Sequence, residues 1–346
     1  MTIRTDVLVV GGGPVGLAAA IEARLAGWDV VVLEPRTGSI DKACGEGLMP
    51  GTLAALTRLG VDPQGHVLAG ISYRSARGHV DHLFGTGQGR GVRRTTLHDA
   101  LRERAVAVGV QHRTGRVDQL EIRRDAAVAG GVSARWLLAC DGLHSTVRRL
   151  AGLEPAQRHG GLHRAPPRRY GLRRHFRVAP WSDLVEVHWG RTAEAYVTPV
   201  GDDLVGVALL GPAGLDFDAT VAGLAELAGR LDAAEPAGPV RGAGPLRQSS
   251  SARTAGPVRL VGDASGYVDA LTGEGLRVGL AQARAAVETL EDPAAYERAW
   301  TAATRDYRIL TAGLVTWATS PAREAILPVA TRAPAVFSAV VDRLAR

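Results

Sequence analysis

The stretch Thr5–Gly16, TDVLVVGGGPVG, decides how the chain begins to fold. Thr5–Val10 is a short apolar run bounded by glycine, the pattern of a buried strand. The glycines follow at once as Gly11-x-Gly13-x-x-Gly16, and the Ala/Leu-rich segment behind them reads as a helix to about Ala26, where Gly27 stops it. Trp28–Leu33 (WDVVVL) is a second strand closing on Glu34, so the segment is one complete βαβ unit. In that setting Gly11 permits the tight turn, and Gly13 lets the backbone approach a pyrophosphate. Gly16 lets the helix pack on the strand. Pro14 and Val15 open the helix, whose N-terminus turns N–H donors and a positive dipole end toward phosphates. Glu34, 21 residues after Gly13, is placed to accept hydrogen bonds from an adenosine ribose. A dinucleotide site is the expectation.

Composition bounds the rest. A chain of 346 residues suggests two domains or one interleaved unit. With 46% hydrophobic and 22% charged residues it has globular proportions. The longest apolar runs (LLAC, VVVL, GLVTWA) fall short of the roughly 18 residues of a membrane span. The N-terminus runs straight into a strand with no cleavable leader, and two cysteines, Cys44 and Cys140, make no disulfide framework; a cytoplasmic setting is expected. The net charge of +6 does not read as nucleic-acid binding: the arginines are spread among acids, and aromatics are only 5%.

Farther along, helices are expected over about Pro50–Leu59 and Thr95–Val108, and a hairpin over Ile71–Phe84. Strands at Val117–Ile122 and Trp136–Ala139 return to the nucleotide-binding sheet, and 169–210 alternates as an antiparallel sheet. Phe217–Leu231 reads as one amphipathic helix, Glu235–Pro245 as a loop, Val258–Val261 as a strand and Glu274–Leu290 as a long helix. Two or three helices follow Pro293. The arginine-flanked apolar stripe of 321–346 is expected to pack on the body rather than to meet a membrane. His79 and His82 read as surface histidines.

Three later segments bear on the ligand: Cys140-Asp141-Gly142-Leu143-His144-Ser145-Thr146-Val147-Arg148, Val261-Gly262-Asp263-Ala264-Ser265-Gly266 and Leu271-Thr272-Gly273-Glu274-Gly275. With the first glycine loop they resemble the aromatic hydroxylase-like flavoproteins, which use the glutathione-reductase type of FAD fold. The resemblance implies an α/β FAD-binding Rossmann domain with an interleaved, mostly antiparallel β-sheet substrate domain and C-terminal helices. It implies FAD as cofactor, with Asp141 and Gly142 near FAD and its nicotinamide donor, and Gly262 and Asp263 on the ribityl and pyrophosphate portion. Arg94 matches the arginine opening the helix beside FAD, and Val117 the position whose backbone meets adenine. Pro35 and Arg36, after Glu34, join the cofactor set. Gly273, Gly275 and Leu276 would aim the next helix at the pyrimidine edge of the isoalloxazine, where the helix dipole favours anionic reduced flavin by up to about 2 kcal/mol.

The segment Lys42-Ala43-Cys44-Gly45-Glu46-Gly47-Leu48-Met49-Pro50 resembles the cysteine-containing stretch of geranylgeranyl reductase-like flavoproteins, as does LTGEG. Lys42, the single lysine, is either a point charge beside a pyrophosphate or a chance survivor, and Gly45 is assigned to the cofactor. Cys44 and Glu46 are the catalytic candidates. Cys44 reads first as a bystander thiol, and Glu46, like Glu274, equally as a proton carrier or a partner of loop amides. Cys140 reads as a buried small hydrophobe.

No second strand–GxGxxG–helix unit is present, nor a paired-cysteine redox motif, a metal-ligand cluster such as HExxH, or the GWxWxIP signature of flavin halogenases. NAD(P)H would then visit a surface groove transiently, or a separate flavin donor would serve. The expected FAD-binding domain comprises 1–64, 92–151 and 251–292. The substrate domain comprises 65–91 and 152–250, and 293–346 is a C-terminal helical segment. An apolar pocket under the substrate sheet, with Trp181, Trp189, Tyr196 and Val197 as candidates, would take a small apolar or aromatic molecule. NAD(P)H-fuelled monooxygenation is the leading expectation, and carbon–carbon double-bond reduction of the geranylgeranyl reductase-like type the alternative. Oligomeric state is not written in the sequence.

Overall fold

A computed structural model describes residues 3–156 and 168–345; the expected substrate-domain span therefore includes a stretch, 157–167, outside the described residues. In chain order the first half comprises β1 (Ile3–Val10), α1 (Pro14–Leu25), β2 (Val30–Glu34), β3 (Gly47–Leu48), α2 (Pro50–Arg58), β4 (His66–Leu68), β5 (Gly70–Ser75), β6 (Gly78–Leu83), β7 (Gly89–Gly91), α3 (Arg94–Ala107), β8 (Gln111–Thr114), β9 (Leu120–Ile122), β10 (Ala127–Ala129), β11 (Val132–Ala139) and α4 (Thr146–Leu150). The second half comprises β12 (Tyr170–Arg177), β13 (Leu184–Trp189), β14 (Glu194–Gly201), β15 (Leu204–Gly211), α5 (Phe217–Ala222), α6 (Ala225–Leu231), β16 (Glu235–Pro236), β17 (Arg241–Ala243), β18 (Thr254–Ala255), β19 (Val258–Leu260), α7 (Gly275–Glu288), α8 (Pro293–Ala318), α9 (Ile326–Arg332) and α10 (Pro334–Ala345).

The first sheet runs β18-β19-β11-β1-β2-β8, and its centre (β19, β11, β1, β2, β8) is parallel. Both faces are covered, which is why its central strands read as unbroken apolar runs. Val7 and Val9 pack beneath α1, α3 and α7 with Leu17, Ile21, Leu101 and Leu280. Leu8 and Val10 face the opposite layer with Val31, Leu33, Leu137 and Leu260.

The second sheet runs β16-β12-β15-β14-β13-β5-β6 and is antiparallel except where β13 meets β5. One face carries Phe176, Ala195, Val197, Val207 and Leu209 under α5 and α6; the other is turned to a cavity between the sheets. A small sheet, β3-β7-β4, stitches the two together. A side-chain carbon on Gly91 would sit 1.7 Å from the Pro199 carbonyl oxygen, so only glycine admits that contact.

Several expectations are corrected. Phe217–Leu231 is two short helices that break at Gly223 and Leu224; Asp216 caps the first by accepting from the Ala219 N–H at 2.8 Å. Glu235–Pro245 is not all loop, because two short segments add to the edge of β12. The strand that joins β2 is Gln111–Thr114, while Leu120–Ile122 pairs with β10 in a side hairpin and Val117 lies between the two. All four residues of β8 are exposed, so nothing apolar marks this edge strand in the sequence. His82 is not on the surface: it is buried, with Nε2 2.8 Å from Asp342 and Nδ1 3.0 Å from Ser338 on α10. α10 also packs Phe337 and Val341 against Met49, Leu68, Phe84 and Val185. No single helix among the described residues is long and apolar enough to cross a membrane.

Candidate active site

The first glycine loop is held by close backbone contact. Gly11 has φ +103°, and a side-chain carbon there would lie 2.5 Å from the Cys140 carbonyl oxygen; one on Gly16 would lie 1.9 Å from that of Gly11. The Gly12 N–H donates to Glu34 Oε2 at 2.8 Å, and Glu34 Oε1 accepts from the backbone N–H (3.0 Å) and Nε (2.7 Å) of Arg36. Burial pushes the Glu34 carboxyl up, but these hydrogen bonds outweigh it and hold the group below its ordinary range.

Across the cleft, Asp141 accepts from Ser145 Oγ at 2.6 Å and from the Val147 N–H at 3.0 Å, so its carboxylate braces the start of α4. Burial raises its pKa against those bonds. Asp263 lies in the turn after β19 and accepts no side-chain hydrogen bond among the described residues; its nearest cation is Lys42, 4.0 Å away. Burial raises its pKa, opposed by Lys42 and Arg94. The Arg94 guanidinium reaches toward the loop, with Nη2 3.9 Å from where a Gly13 side chain would begin. Its Nε is sealed without a partner. A cradle that side chains would fill, an orphaned arginine and an uncommitted carboxylate are what a bound pyrophosphate and polyol would complete.

These groups share one cavity of about 790 Å3. Every residue assigned to the cofactor, and both catalytic candidates Cys44 and Glu46, lie on its wall except Gly16, which sits behind it. The wall thus carries Gly11, Gly13, Pro14, Val15, Glu34, Pro35, Arg36, Lys42, Cys44, Gly45, Glu46, Arg94, Val117, Asp141, Gly142, Gly262, Asp263, Gly273, Gly275 and Leu276. Glu274 is not on it; its Oε1 accepts from Arg277 Nε at 2.9 Å. Cys140 does reach the wall, its thiol driven up by desolvation.

Glu46 is buried at φ +61°, unusual for a residue with a side chain. Its Oε1 accepts from the Arg94 N–H at 2.9 Å, and its Oε2 lies 2.7 Å from His175 Nε2. Arg173 Nη1, which can only donate, lies 3.0 Å from His175 Nδ1; the ring proton therefore sits on Nε2 and is donated to Glu46. Both carboxylate oxygens tie the loop to α3 and to the second sheet. Glu46→Gln turns one of these contacts into donor against donor and is expected to lower stability by about 1–3 kcal/mol, read as an earlier thermal melt with reduced FAD retention. Cys44 stays half-buried on the wall, its Sγ 3.4 Å from the Glu46 N–H.

The far half of the cavity is apolar. Ile71, Tyr73, Val185, Val187, Tyr196, Ala208 and Leu210 project from the second sheet, and Val341 reaches in from α10. Of the four pocket candidates only Tyr196 faces this space. Trp181 and Val197 belong to the layer under α5 and α6, and Trp189 packs beside Leu271 and Ala318. A strand's two faces differ by one residue of register, which composition does not set.

Residues 4–166 match the FAD binding domain family. Digeranylgeranylglycerophospholipid reductase 1 of Methanopyrus kandleri is 31% identical over 328 residues, which cover 83% of this chain and 81% of that protein. The chain belongs to the FAD-dependent oxidoreductases. Another member, menaquinone reductase of Mycolicibacterium smegmatis, is 29% identical over 87% of this chain and 80% of its own. Para-nitrophenol 4-monooxygenase of a Pseudomonas species is 33% identical, but over 42% of each chain. Among solved structures, a flavoprotein/dehydrogenase from Cytophaga hutchinsonii superposes with a TM-score of 0.82 at 17% identity, covering 99% of this chain and 92% of its own. This FAD-dependent oxidoreductase therefore has the mixed α/β fold of that flavoprotein, and FAD is its cofactor.

Proposed function

We propose that the protein is an FAD-dependent reductase that saturates a carbon–carbon double bond in an apolar, prenyl-type substrate. The observation that carries this is that the relatives aligned over most of the chain are reductases. Menaquinone reductase and digeranylgeranylglycerophospholipid reductase 1 align over 87% and 83% of it, whereas the nitrophenol monooxygenase aligns over 42%, as a second digeranylgeranylglycerophospholipid reductase does over 44%. The apolar half of the cavity, with Tyr73 and Tyr196 as its polar groups on the second sheet, suits such a molecule. Monooxygenation of a small aromatic, placed first on sequence alone, becomes the second reading; its support is the 33% identity to that monooxygenase.

Bound FAD supplies the hydride chemistry. In this reading the fold is of the glutathione-reductase type, and the domain limits are those expected from the sequence. Gly11, Gly13, Pro14 and Val15 present the α1 N-terminus to the pyrophosphate, with Gly16 keeping α1 against β1. Glu34 takes the ribose, and Pro35, Arg36 and Val117 border the adenine. Arg94 and Lys42 offset phosphate charge, Asp263 beside Gly262 accepts a ribityl hydroxyl, and Asp141 with Gly142 shapes the adjoining loop. The amides of Gly273, Gly275 and Leu276 face the pyrimidine edge. Gly45 and Cys44 line the opposite wall, and Glu46 positions rather than transfers. NAD(P)H is a transient donor.

The test is anaerobic turnover of the FAD-loaded protein with NADPH and a prenylated naphthoquinone. Gain of two hydrogens in the prenyl tail is the expected product. Incorporation of label from oxygen-18 gas, with no saturated product in its absence, would replace this reading with the monooxygenase one.

A further inference from the structure

The tyrosines on the cavity wall differ in what their hydroxyls do. Tyr196 donates to the Leu271 carbonyl at 2.7 Å and is committed to the loop before α7. Tyr267 lies at the cofactor end, its oxygen 3.1 Å from where a Gly275 side chain would begin. Tyr73, in the middle of β5, has no hydrogen-bond partner among the described residues. Nor is its oxygen among the sealed, unpartnered polar atoms, so it opens onto the cavity. The ring cannot swing away: Trp189 and Phe337 grip it edge-on, at centroid distances of 5.7 and 5.0 Å.

The surroundings set which kind of partner this hydroxyl takes. Burial, reinforced by the charge on Glu194, pushes the phenol up to about 12, so it remains a donor at every physiological pH. Glu194 is itself paired with Arg169 Nη2 at 2.5 Å and Arg323 Nη2 at 2.7 Å, and Arg169 Nε lies 3.2 Å from Asp269. Glu194 and Asp269 thus hold both Arg169 and Arg323, and Arg247, whose charge also reaches Asp269, is exposed, so neither of the two guanidiniums bound to this cluster is left unpaired. An anionic head placed here would be desolvated beside Glu194 with no cation to spare for it. A neutral oxygen acceptor meets neither penalty.

We propose that Tyr73 selects the polar end of the substrate, donating its hydroxyl hydrogen to an uncharged carbonyl oxygen on an otherwise apolar, prenylated molecule. This rests on the apolar half of the cavity being the substrate pocket. It narrows the substrate class to a prenyl quinone or ketone and sets aside prenyl diphosphates and phospholipids at this position.

The experiment titrates the FAD-loaded protein with three probes sharing one short prenyl tail: the 1,4-naphthoquinone, the bare hydrocarbon and the diphosphate. Quenching of protein fluorescence gives each Kd. The naphthoquinone is expected to bind tightest. Tyr73→Phe is expected to weaken it about five- to tenfold, the worth of one neutral hydrogen bond, and to leave the hydrocarbon unchanged. FAD content and the thermal melt of the variant, expected to match the parent, establish that it folds. A diphosphate that binds tightest, or a naphthoquinone Kd that Tyr73→Phe leaves within twofold, overturns the proposal. Binding is read without turnover. A protein that holds the naphthoquinone through Tyr73 yet never saturates its tail would therefore refute the reductase reading and leave this one standing.

Discussion

Gly16→Val is expected to give a chain that leaves purification without its flavin. A single added carbon at this position would stand 1.9 Å from the Gly11 carbonyl oxygen and 3.2 Å from Cys140 Cβ. Valine adds two more, and the obstacle is backbone, which cannot rotate aside. The only relief is for α1 to back away from β1 and β11, and that carries the N–H groups of its first turn off the phosphate position. Overpacking of this kind costs about 1–3 kcal/mol when neighbours can yield, and here they cannot. The loss should therefore appear twice, as an earlier thermal melt and as a near-zero ratio of 450 nm to 280 nm absorbance. Gly229→Ala is the matching control: that glycine lies in α6 with nothing within 4 Å of its missing side chain. It should keep its colour and gain about 0.5–1 kcal/mol, the usual advantage of alanine inside a helix. A Gly16→Val protein that stays yellow would mean that the loop does not hold the phosphates.

The contrast between those two glycines shows what a sequence discloses. Gly16 is legible because it stands in a pattern, strand then turn then helix, whose geometry leaves one solution. For the same reason the residues assigned to the cofactor, drawn from widely separated stretches of chain, line one cavity, Gly16 alone sitting behind it. The parallel strands were legible too, since burial on both faces leaves runs such as LVV and VVVL. Where pairing rests on the backbone alone, as in the exposed β8, nothing in the side chains announces a strand. The break at Gly223 was hidden because an apolar stripe continues across it, from Phe217 and Val221 to Leu227 and Leu231. The second sheet shows the deeper limit. Its alternation is plain in Glu194–Val200, yet which phase meets the cavity depends on helices elsewhere in the chain, so Tyr196 could be named only along with Val197. Nothing local marks Tyr73; its partners Trp189, Phe337 and Glu194 are all more than a hundred residues away. The engagement of Glu46 with His175, 129 residues on, was hidden in the same way.

Long-range pairing of that kind also predicts where the fold is most vulnerable, at Arg169. Its side chain is 5% exposed, and it alone among the described residues bridges Glu194 and Asp269. Arg169→Met fills nearly the same volume but strips both carboxylates of that cation and leaves Arg323 with Glu194 alone. Removing one partner from a buried ion pair typically costs 3–5 kcal/mol, so a loss of about that size is expected at neutral pH. The pH dependence is the sharper signature. Burial already raises the pKa of Glu194 and of Asp269 above the ordinary carboxylate range, with Arg169 working against it in both cases. Without the guanidinium both must rise further. A carboxyl whose folded pKa exceeds its unfolded one makes the native state the better proton binder, so stability is greatest in acid and falls as pH climbs from about 4 through the raised values. The deficit of Arg169→Met should therefore be smaller at pH 5 than at pH 8 in urea titrations. The consequence reaches the cavity, since Asp269 Oδ1 accepts from the Leu271 N–H at 3.0 Å and Tyr196 holds the Leu271 carbonyl. Loosening this cluster slackens the loop that opens α7, and FAD should dissociate faster in step with the lost stability. A deficit that does not change between pH 5 and pH 8 would mean that Arg169 contributes packing rather than charge.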